Sequence, residues 1–381
     1  MAEANGERFI LGVRELNGAL GDLGTLLPLM LGTIAVVGLA PGPVVVGFAL
    51  FYIASAVHYR LPMPVQPMKA VAAVLLTAQI SPQTLAASGV LIGATLLLLG
   101  VSGWINRIAR MMPQSIMAGL QLGLGLALAR VSIDLMASAP LIGLATAAVL
   151  GALYFCPRCP SVPLALVVAV ILGALLGHPG PPVVAQPAPG WSFALPQMAD
   201  MQQAFTVFVL PQLSLTLTNA VLLTALIAGD YFGERAAHVT PVRLSITSGL
   251  ANLLLTPFGA LPMCHGAGGL AAHHRFGARS GTATLALGLG LVMVAVLPNG
   301  VGMTALAAVP VAGLGALLLM TSAELSLSRR LFGCKLSCWP VIAITAAVTL
   351  WLDPFFGLAA GVSAEVVRLA ALRLFRSAAK T

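Results

Sequence analysis

The chain has 381 residues, of which 59% are hydrophobic and 8% are charged, and its formal net charge is +8 at pH 7. Soluble domains carry about 25% charged residues, so this composition excludes a soluble globular protein and indicates one that crosses a membrane many times. The basic residues are scattered at the ends of apolar segments. This distribution favours contact with the lipid bilayer and argues against nucleic acid as a partner.

The sequence divides into fourteen apolar elements, with its longest connection, 178–204, in the middle. This linker is rich in proline and glycine and separates residues 1–177 from residues 205–381, which hold seven elements each. We place the elements at about 12–39, 43–58, 67–79, 84–103, 113–133, 139–156, 160–177, 205–228, 241–258, 265–276, 280–298, 300–320, 338–352 and 354–372.

The basic residues test this number of elements. If the N-terminus is cytoplasmic, 17 of the 19 lysines and arginines fall in cytoplasmic loops or tails, and only Lys69 and Arg130 remain. A wrong number of elements would scramble this distribution, because cytoplasmic loops are the ones enriched in basic residues. The pattern predicts that both termini are cytoplasmic. Arg130 lies near the outer end of its helix, where a long side chain can reach the interface.

The two halves of the chain repeat each other, at spacings of 200, 197 and 197 positions for three matches. The matches are Leu-Pro-Met at 61–63 and 261–263, Glu15 with Gln212, and Asp22 with Asn219. Because seven is an odd number, the second copy must run inverted in the membrane. The predicted fold class is an all-α polytopic membrane protein with seven-plus-seven inverted repeats, which is typical of secondary transporters.

The stretch 61–70 interrupts the apolar pattern with three prolines, a glutamine and a lysine. Prolines exclude a continuous helix here, but Pro67 can begin one, so we predict an extended segment at about 60–66 and a short helix at about 67–79. At about 20 Å, that helix is too short to cross a hydrocarbon core of about 30 Å. This half-helix, element 3, presents backbone N–H groups inside the protein, where they favour an anion.

Three side chains at the start of this half-helix, Gln66, Met68 and Lys69, are candidate substrate-binding residues. Lys69 adds a full positive charge to the helix dipole, and charges inside a membrane are costly and usually functional. The alternative is that Lys69 forms a structural ion pair with Asp22.

A second break lies at 261–271, in element 10, where glycines take the place of prolines. The run Gly266-Ala267-Gly268-Gly269 allows a ligand to approach the backbone and can form a nest of N–H donors. The alternative is a glycine-rich face for helix packing. In inverted repeats the two half-helices enter from opposite sides, so we expect their N-termini to meet near the middle of the membrane.

Polar residues of the other elements complete the candidate site. Asp22 lies about 15 Å along the first helix, where it can carry a coupling proton, orient Lys69, or cap a half-helix without titrating. His265 is either a binding residue or an interior histidine with its hydrogen bonds satisfied, whereas His273 and His274 are expected to be solvated. Neutral hydrogen bonds to a ligand are expected from Asn17, Thr25, Thr216 and Asn219.

Cysteines and acidic residues bear on metal binding and catalysis. Cys156 and Cys159 have metal or redox spacing, and Cys334 and Cys338 would complete four ligands, but we favour incidental loop cysteines and predict no metal and no cofactor. The eleven acidic residues contain neither a metal-binding cluster nor a partner for a nucleophile. The sequence therefore does not indicate an enzyme.

Three blocks resemble the signature blocks of the type 1 molybdate transporters of plants, algae and bacteria, which are distant relatives of the sulfate permeases. The blocks are 15–25 (ELNGALGDLGT), 62–70 (PMPVQPMKA) and 262–270 (PMCHGAGGL) with 276–278 (FGA). The resemblance spans both halves of the chain. It implies molybdate import and a fold similar to sulfate permeases and nucleobase transporters.

The resemblance further implies two spatial units. Elements 1–4 and 8–11, about 12–103 and 205–298, are expected to form a substrate-carrying core. Elements 5–7 and 12–14, about 113–177 and 300–375, are expected to form a gate, through which a homodimer can assemble. We expect the protein to lie in the bacterial cytoplasmic (inner) membrane.

The chemistry of the two breaks agrees with an oxyanion. Molybdate is a tetrahedral dianion with only acceptor oxygens at neutral pH, so it requires convergent donors and positive dipoles. Sulfate has the same shape and charge, so a sulfate or general oxyanion permease is the main alternative, and tungstate is a further possible substrate. A nucleobase transporter is less favoured, because Asn219 rather than an acid stands opposite Asp22. The sequence leaves the coupling ion and the affinity open.

Overall fold

The computed structural model describes residues 9–78, 80–105, 107, 113–154, 159, 161–178, 196–298, 301–327, 329–352 and 354–378. Cys156 and most of the predicted linker lie outside the described residues. Within these ranges, four helices are long and apolar enough to cross a membrane by length and composition: Pro41–Tyr59, Pro82–Val101, Gln114–Ala137 and Pro354–Leu372. Shorter apolar helices of 10–17 residues accompany them.

The described first half contains eight helices and one short strand. They are α1 (Val13–Leu20), α2 (Leu23–Val37), α3 (Pro41–Tyr59), β1 (Gln66–Pro67), α4 (Lys69–Thr77), α5 (Pro82–Val101), α6 (Gln114–Ala137), α7 (Pro140–Tyr154) and α8 (Ser161–Leu175). The nine-residue helix α4 is the first half-helix.

The described second half begins with a long helical stretch in which α9 (Met198–Ala204), α10 (Leu210–Leu215) and α11 (Thr224–Phe232) are joined by the π-helical turns Phe205–Val209 and Thr216–Leu223. The second half-helix is α13, also of nine residues. The remaining elements are α12 (Pro241–Leu255), β2 (Met263–Cys264), α13 (Ala267–Arg275), α14 (Gly281–Val296), α15 (Val301–Ala307), α16 (Val311–Ser326), α17 (Arg329–Phe332), α18 (Trp339–Trp351) and α19 (Pro354–Ala378), with 3₁₀ turns at Gly233–Ala236, Thr256–Phe258 and Leu336–Cys338.

Two predicted elements differ from the structure. The first, predicted as one helix over 12–39, is broken at Gly21 and Asp22, and α2 starts directly after the aspartate. The twelfth, predicted at 300–320, is instead α16 at Val311–Ser326, preceded by the short helix α15. The prediction was wrong because Pro310, which lacks the N–H that a helix interior uses, stands at the N-cap of α16.

The packing of the two halves is reciprocal. Helix α3 packs against α14 and α5 packs against α12, while α6 packs against α18 and α7 packs against α16. Each contact between the halves thus has a counterpart with the roles of the halves exchanged, as an inverted repeat requires. Helices α6 and α16, which are equivalent in the two halves, pack against each other.

The two short strands define the repeat spacing. They pair antiparallel, with Gln66 opposite Cys264 and Pro67 opposite Met263. A shift of 197 positions carries Gln66 onto Met263 and Pro67 onto Cys264, so it exchanges the two pairs. The matches at Glu15 and Asp22 have this same spacing of 197. The Leu-Pro-Met match at 61–63, with its spacing of 200, therefore departs from the repeat by three residues.

Glycines allow the halves to pack closely where α5 crosses α12. A Cβ atom on Gly93 would lie 2.8 Å from the carbonyl oxygen of Gly249 and 2.9 Å from the backbone nitrogen of Leu253. Backbone atoms cannot yield as a flexible side chain does, so any side chain at this position forces the helices apart.

We therefore expect Gly93→Ala to lower stability by about 1–3 kcal/mol through overpacking. Thermal unfolding of the purified protein in detergent measures this effect. The matched control is Gly290→Ala in α14, where an added Cβ meets nothing within 4 Å. Equal melting temperatures for the two variants would contradict the close packing of α5 on α12.

Candidate functional site

The two half-helices begin next to each other because the segments that lead into them are hydrogen-bonded. Besides the β1–β2 pairing, the Met68 N–H donates to the Pro262 carbonyl oxygen at 2.9 Å. Asn252 fixes the second segment, since its amide exchanges hydrogen bonds of 2.7 and 2.9 Å with the backbone of Met263. Proline before the first half-helix and glycine at the start of the second keep both segments out of helical conformation.

The N-terminus of the first half-helix is capped from the second half of the chain. The Gln212 side-chain oxygen accepts from the Ala70 N–H at 2.8 Å and from the Val71 N–H at 3.4 Å. The Gln212 side-chain nitrogen in turn donates to Thr216 at 2.8 Å. A neutral amide oxygen thus stands where the dipole of this helix would attract an anion.

The N-terminus of the second half-helix is open. Gly266 is its N-cap, and no hydrogen bond to the N–H groups of Ala267 or Gly268 is found in the described part of the chain. An added Cβ on Gly268 would meet nothing within 4 Å, so this backbone faces open space. The two donors are available to a ligand.

Asp22 is completely buried and is surrounded by donors. Its Oδ2 accepts from the Tyr52 hydroxyl at 2.5 Å, and its Oδ1 accepts from the Gln66 side-chain nitrogen at 2.5 Å. The His273 Nε2 lies 3.6 Å from Oδ2.

The prediction that His273 is solvated was wrong, because the ring is 0% exposed and its Nδ1 bonds to the Gly18 carbonyl oxygen at 2.8 Å. His274 is half-buried and stacks on Tyr231 at 4.0 Å between ring centroids.

Lys69 is half-buried, and no carboxylate of the described residues lies within ion-pair distance of its ammonium group. The alternative of a structural ion pair between Lys69 and Asp22 is therefore not found. Its charge acts over a longer distance on Glu324, which Lys69 and Arg275 attract and Asp22 repels. Lys69 thus contributes a positive charge that is not neutralised by direct contact.

A small cavity of about 20 Å³ lies at the start of the first half-helix. It brings together six of the residues predicted from the sequence: Gln66, Lys69, Thr216, Asn219, His265 and Gly266. Gln121, Gln212 and Cys264 line it as well, and sequence reasoning missed them as site residues. Gln212 was detectable as the repeat partner of Glu15, whereas Gln121 stands alone among the apolar residues 116–129 of α6 and gave no signal.

A larger cavity of about 330 Å³ lies beside the second half-helix. Predicted residues Thr25 and Gly268 line it, together with Tyr231, Arg275 and Glu324. Its walls come from α1 and α2 with the second half-helix on one side, and from α8 and α16 on the other. It is the wider of the two spaces and is lined by charged groups of both signs.

The remaining predicted residues do not line either cavity. The Asn17 amide donates to the Phe276 carbonyl oxygen at 3.0 Å, and Met68 is a buried N-cap of the first half-helix. Asp22 lies behind Gln66, while Ala267 and Gly269 are buried in the first turn of the second half-helix. They support the site from outside its lining.

His265 contributes to the small cavity, but its ring nitrogens are engaged elsewhere. Nδ1 bonds to the Pro64 carbonyl oxygen at 2.9 Å and Nε2 bonds to the Thr247 hydroxyl at 2.9 Å. The ring also packs against Phe51 and Tyr59, with ring centroids 5.0 and 5.3 Å away. This is the arrangement of an interior histidine with its hydrogen bonds satisfied.

Among the described residues, no group of three or more His, Cys, Asp and Glu side chains could hold a metal ion. Cys334 and Cys338 carry free thiols. The donors around the small cavity are amides, hydroxyls, a backbone helix start and an ammonium group. Such a set suits an anion better than a cation.

Inverted repeats with two broken elements whose N-termini adjoin a polar cavity define a secondary transporter. Solved structures share this fold. The transmembrane domain of the cyanobacterial bicarbonate transporter BicA has a TM-score of 0.66 at 17% identity, covering 92% of this chain and 97% of that one. Murine Slc26a9, an anion transporter, has a TM-score of 0.66 at 15% identity, covering 98% of this chain and 70% of that one.

A family model described as "Molybdate transporter of MFS superfamily" matches residues 14–128 and 204–325. Molybdate transporter 2 of Arabidopsis thaliana is 30% identical over 387 residues, which is 88% of this chain and 82% of the relative. Molybdate transporter 1 of Chlamydomonas reinhardtii is 27% identical over 435 residues, covering 82% and 83%. This chain belongs to the molybdate transporter family, and its relatives are transporters and not enzymes.

Proposed function

We propose that the protein imports molybdate across the bacterial cytoplasmic membrane by alternating access. The observation that carries the proposal is Lys69, an ammonium group that has no ion-pair partner in the described ranges and lies beside a polar cavity at a helix N-terminus. The names of the relatives supply the substrate, and the donor set supports it, because a tetrahedral dianion accepts hydrogen bonds at every oxygen.

The ligand is bound between the two half-helices. The ammonium group of Lys69 and the hydroxyl and amide groups of Thr216 and Asn219 contact it from one side, and Gln66 from another. The backbone of Gly266, Ala267 and Gly268 supplies N–H donors from the second half-helix, with Gly269 leaving room for Asp22 and Gln66 behind it. Thr25 lies on the entry path, in the wall of the larger cavity.

Transport moves a core against a gate. The core consists of the elements that hold the half-helices, about 12–103 and 205–298, and the gate of about 113–177 and 300–375. The cavities support this division, because each is lined by residues of both units, such as Gln121 and Glu324 from the gate. The exposed apolar faces of the gate helices are available to lipid or to a second copy in a homodimer.

The substrate is tested by calorimetry on the purified protein with molybdate, tungstate, sulfate, bicarbonate and uracil in parallel. We expect saturable binding of molybdate and tungstate and much weaker binding of sulfate. Equal affinity for sulfate would make the protein a general oxyanion permease. Binding of uracil alone would contradict an anion site.

Replacing Lys69 by alanine is expected to weaken molybdate binding about 10- to 100-fold, since a charge-assisted contact contributes about 1.5–3 kcal/mol. The matched control is Arg130→Ala, which removes the other cation that the sequence places outside the cytoplasmic loops and tails and whose side chain is exposed. Unchanged affinity in a folded Lys69→Ala protein would assign Lys69 to structure.

Replacing Gly268 by valine is expected to reduce uptake strongly without lowering the melting temperature. The added side chain enters open space, so it does not clash within the protein, but it narrows the larger cavity beside the helix start. Uptake into proteoliposomes and thermal unfolding measure the two effects. Normal uptake by this variant would remove the second half-helix from the substrate path.

A further inference from the structure

The side chain of Gln66 lies between Asp22 and the small cavity, and only half of its hydrogen-bonding capacity is used. Its nitrogen donates to Asp22, whereas its Oε1 is buried and has no hydrogen-bond partner among the residues that the structure describes. The side chain is 1% exposed. An acceptor this deeply buried normally has a donor, so an unpaired one requires an explanation.

The charge of Asp22 determines which way the amide points. An ionised carboxylate only accepts hydrogen bonds, so Gln66 must turn its NH₂ group to Asp22 and its carbonyl oxygen away. That oxygen lies beside Gly266, at the start of the second half-helix, in the lining of the cavity. A carbonyl oxygen in this position repels an anion.

A proton on Asp22 reverses this preference. The protonated Oδ1 donates, and it requires the carbonyl oxygen of Gln66 as its acceptor. The amide then turns by half a rotation about its terminal bond and presents its NH₂ group to the cavity. The two orientations of an amide have nearly the same shape, so the turn needs no repacking of the buried neighbours.

We propose that Asp22 and Gln66 form a proton-operated switch that couples proton uptake to anion binding. With Asp22 ionised, the cavity presents an acceptor. With a proton on Asp22 Oδ1, the cavity presents donors and one negative charge is removed. Proton and anion therefore bind together and are carried in the same direction. This inference rests on the proposed function of the same site.

The surroundings of Asp22 support a second proton position nearby. The bond of His273 Nδ1 to the Gly18 carbonyl oxygen places the ring proton on Nδ1, so Nε2 is a bare acceptor. This Nε2 is buried without a hydrogen bond and faces Asp22 Oδ2 at 3.6 Å. Nε2 of His273 and Oδ2 of Asp22 are both acceptors, so one added proton between them would form the hydrogen bond that this buried pair lacks.

The other titratable and charged groups around Asp22 come from four packed elements. They are Tyr52 of α3, His273 of the second half-helix and Glu324 of α16, with Lys69 of the first half-helix and Arg275 of the second acting on Glu324. His273 is the group whose titration must be separated from that of Asp22.

The test is the affinity for molybdate between about pH 6 and about pH 8, measured by calorimetry in buffers of different ionisation enthalpy. Uptake of one linked proton raises the affinity about tenfold for each pH unit of acidification and makes the observed heat depend on the buffer. Asp22→Asn, which carries a permanent donor, is expected to bind without pH dependence and without proton uptake. Asp134→Asn, at an exposed aspartate of α6, is expected to keep the full dependence.

A second variant tests the amide itself. Gln66→Met has similar length but neither donor nor acceptor, so acidification should improve its affinity by less than half of the wild-type factor. This variant also decides the matter if Asp22→Asn does not fold. A full pH dependence in Gln66→Met, or one that persists in Asp22→Asn and so belongs to His273, overturns the switch.

Two results on the wild-type protein separate this inference from the proposed function. Molybdate binding of equal strength at all pH values, with no buffer-dependent heat, overturns the switch and leaves the proposed function standing. Absence of oxyanion binding at every pH overturns both.

Discussion

Two helix N-termini face each other inside an apolar protein, and the contacts around them place these helix starts and satisfy their N–H groups. A helix start carries unpaired N–H groups and a positive partial charge, neither of which can be left in a hydrocarbon environment. Backbone pairing of the two lead segments places the starts together, and Asn252 fixes the second segment. Gln212 caps the first helix, whereas the second keeps donors available for the proposed ligand.

The two halves of the repeat have diverged at the points where charge matters. A shift of 197 positions places Asn219 opposite Asp22 and Gly266 opposite Lys69. The first half therefore carries both ionisable side chains, and the second half supplies neutral amides and backbone. Such asymmetry leaves one carboxylate rather than two at this point of the repeat, and two acids in one buried site would perturb each other.

Local signals in the sequence sufficed for the breaks, the repeat and much of the cavity lining, because proline, glycine and charge act on the backbone where they stand. Tertiary contacts decided the rest. The ring of His273 is buried although it neighbours Arg275, and Gln212 reaches a helix of the other half. The ring of His265 turns away from the cavity to bond Thr247. No pattern along the chain encodes which way a side chain turns.

The cavity volumes indicate how a ligand must enter. A space of about 20 Å³ holds roughly one water molecule, so it does not admit a tetrahedral oxyanion as it stands. The space of about 330 Å³ does, and it borders the open start of the second half-helix. In the proposed site, an anion arriving there first reaches the backbone of Gly268, which lines this space. It then competes with the Gln212 side-chain oxygen for the N–H groups of Ala70 and Val71 at the start of the first half-helix. A charged oxygen is the stronger acceptor. Displacement of that neutral cap is therefore the step that joins both helix starts to one ligand.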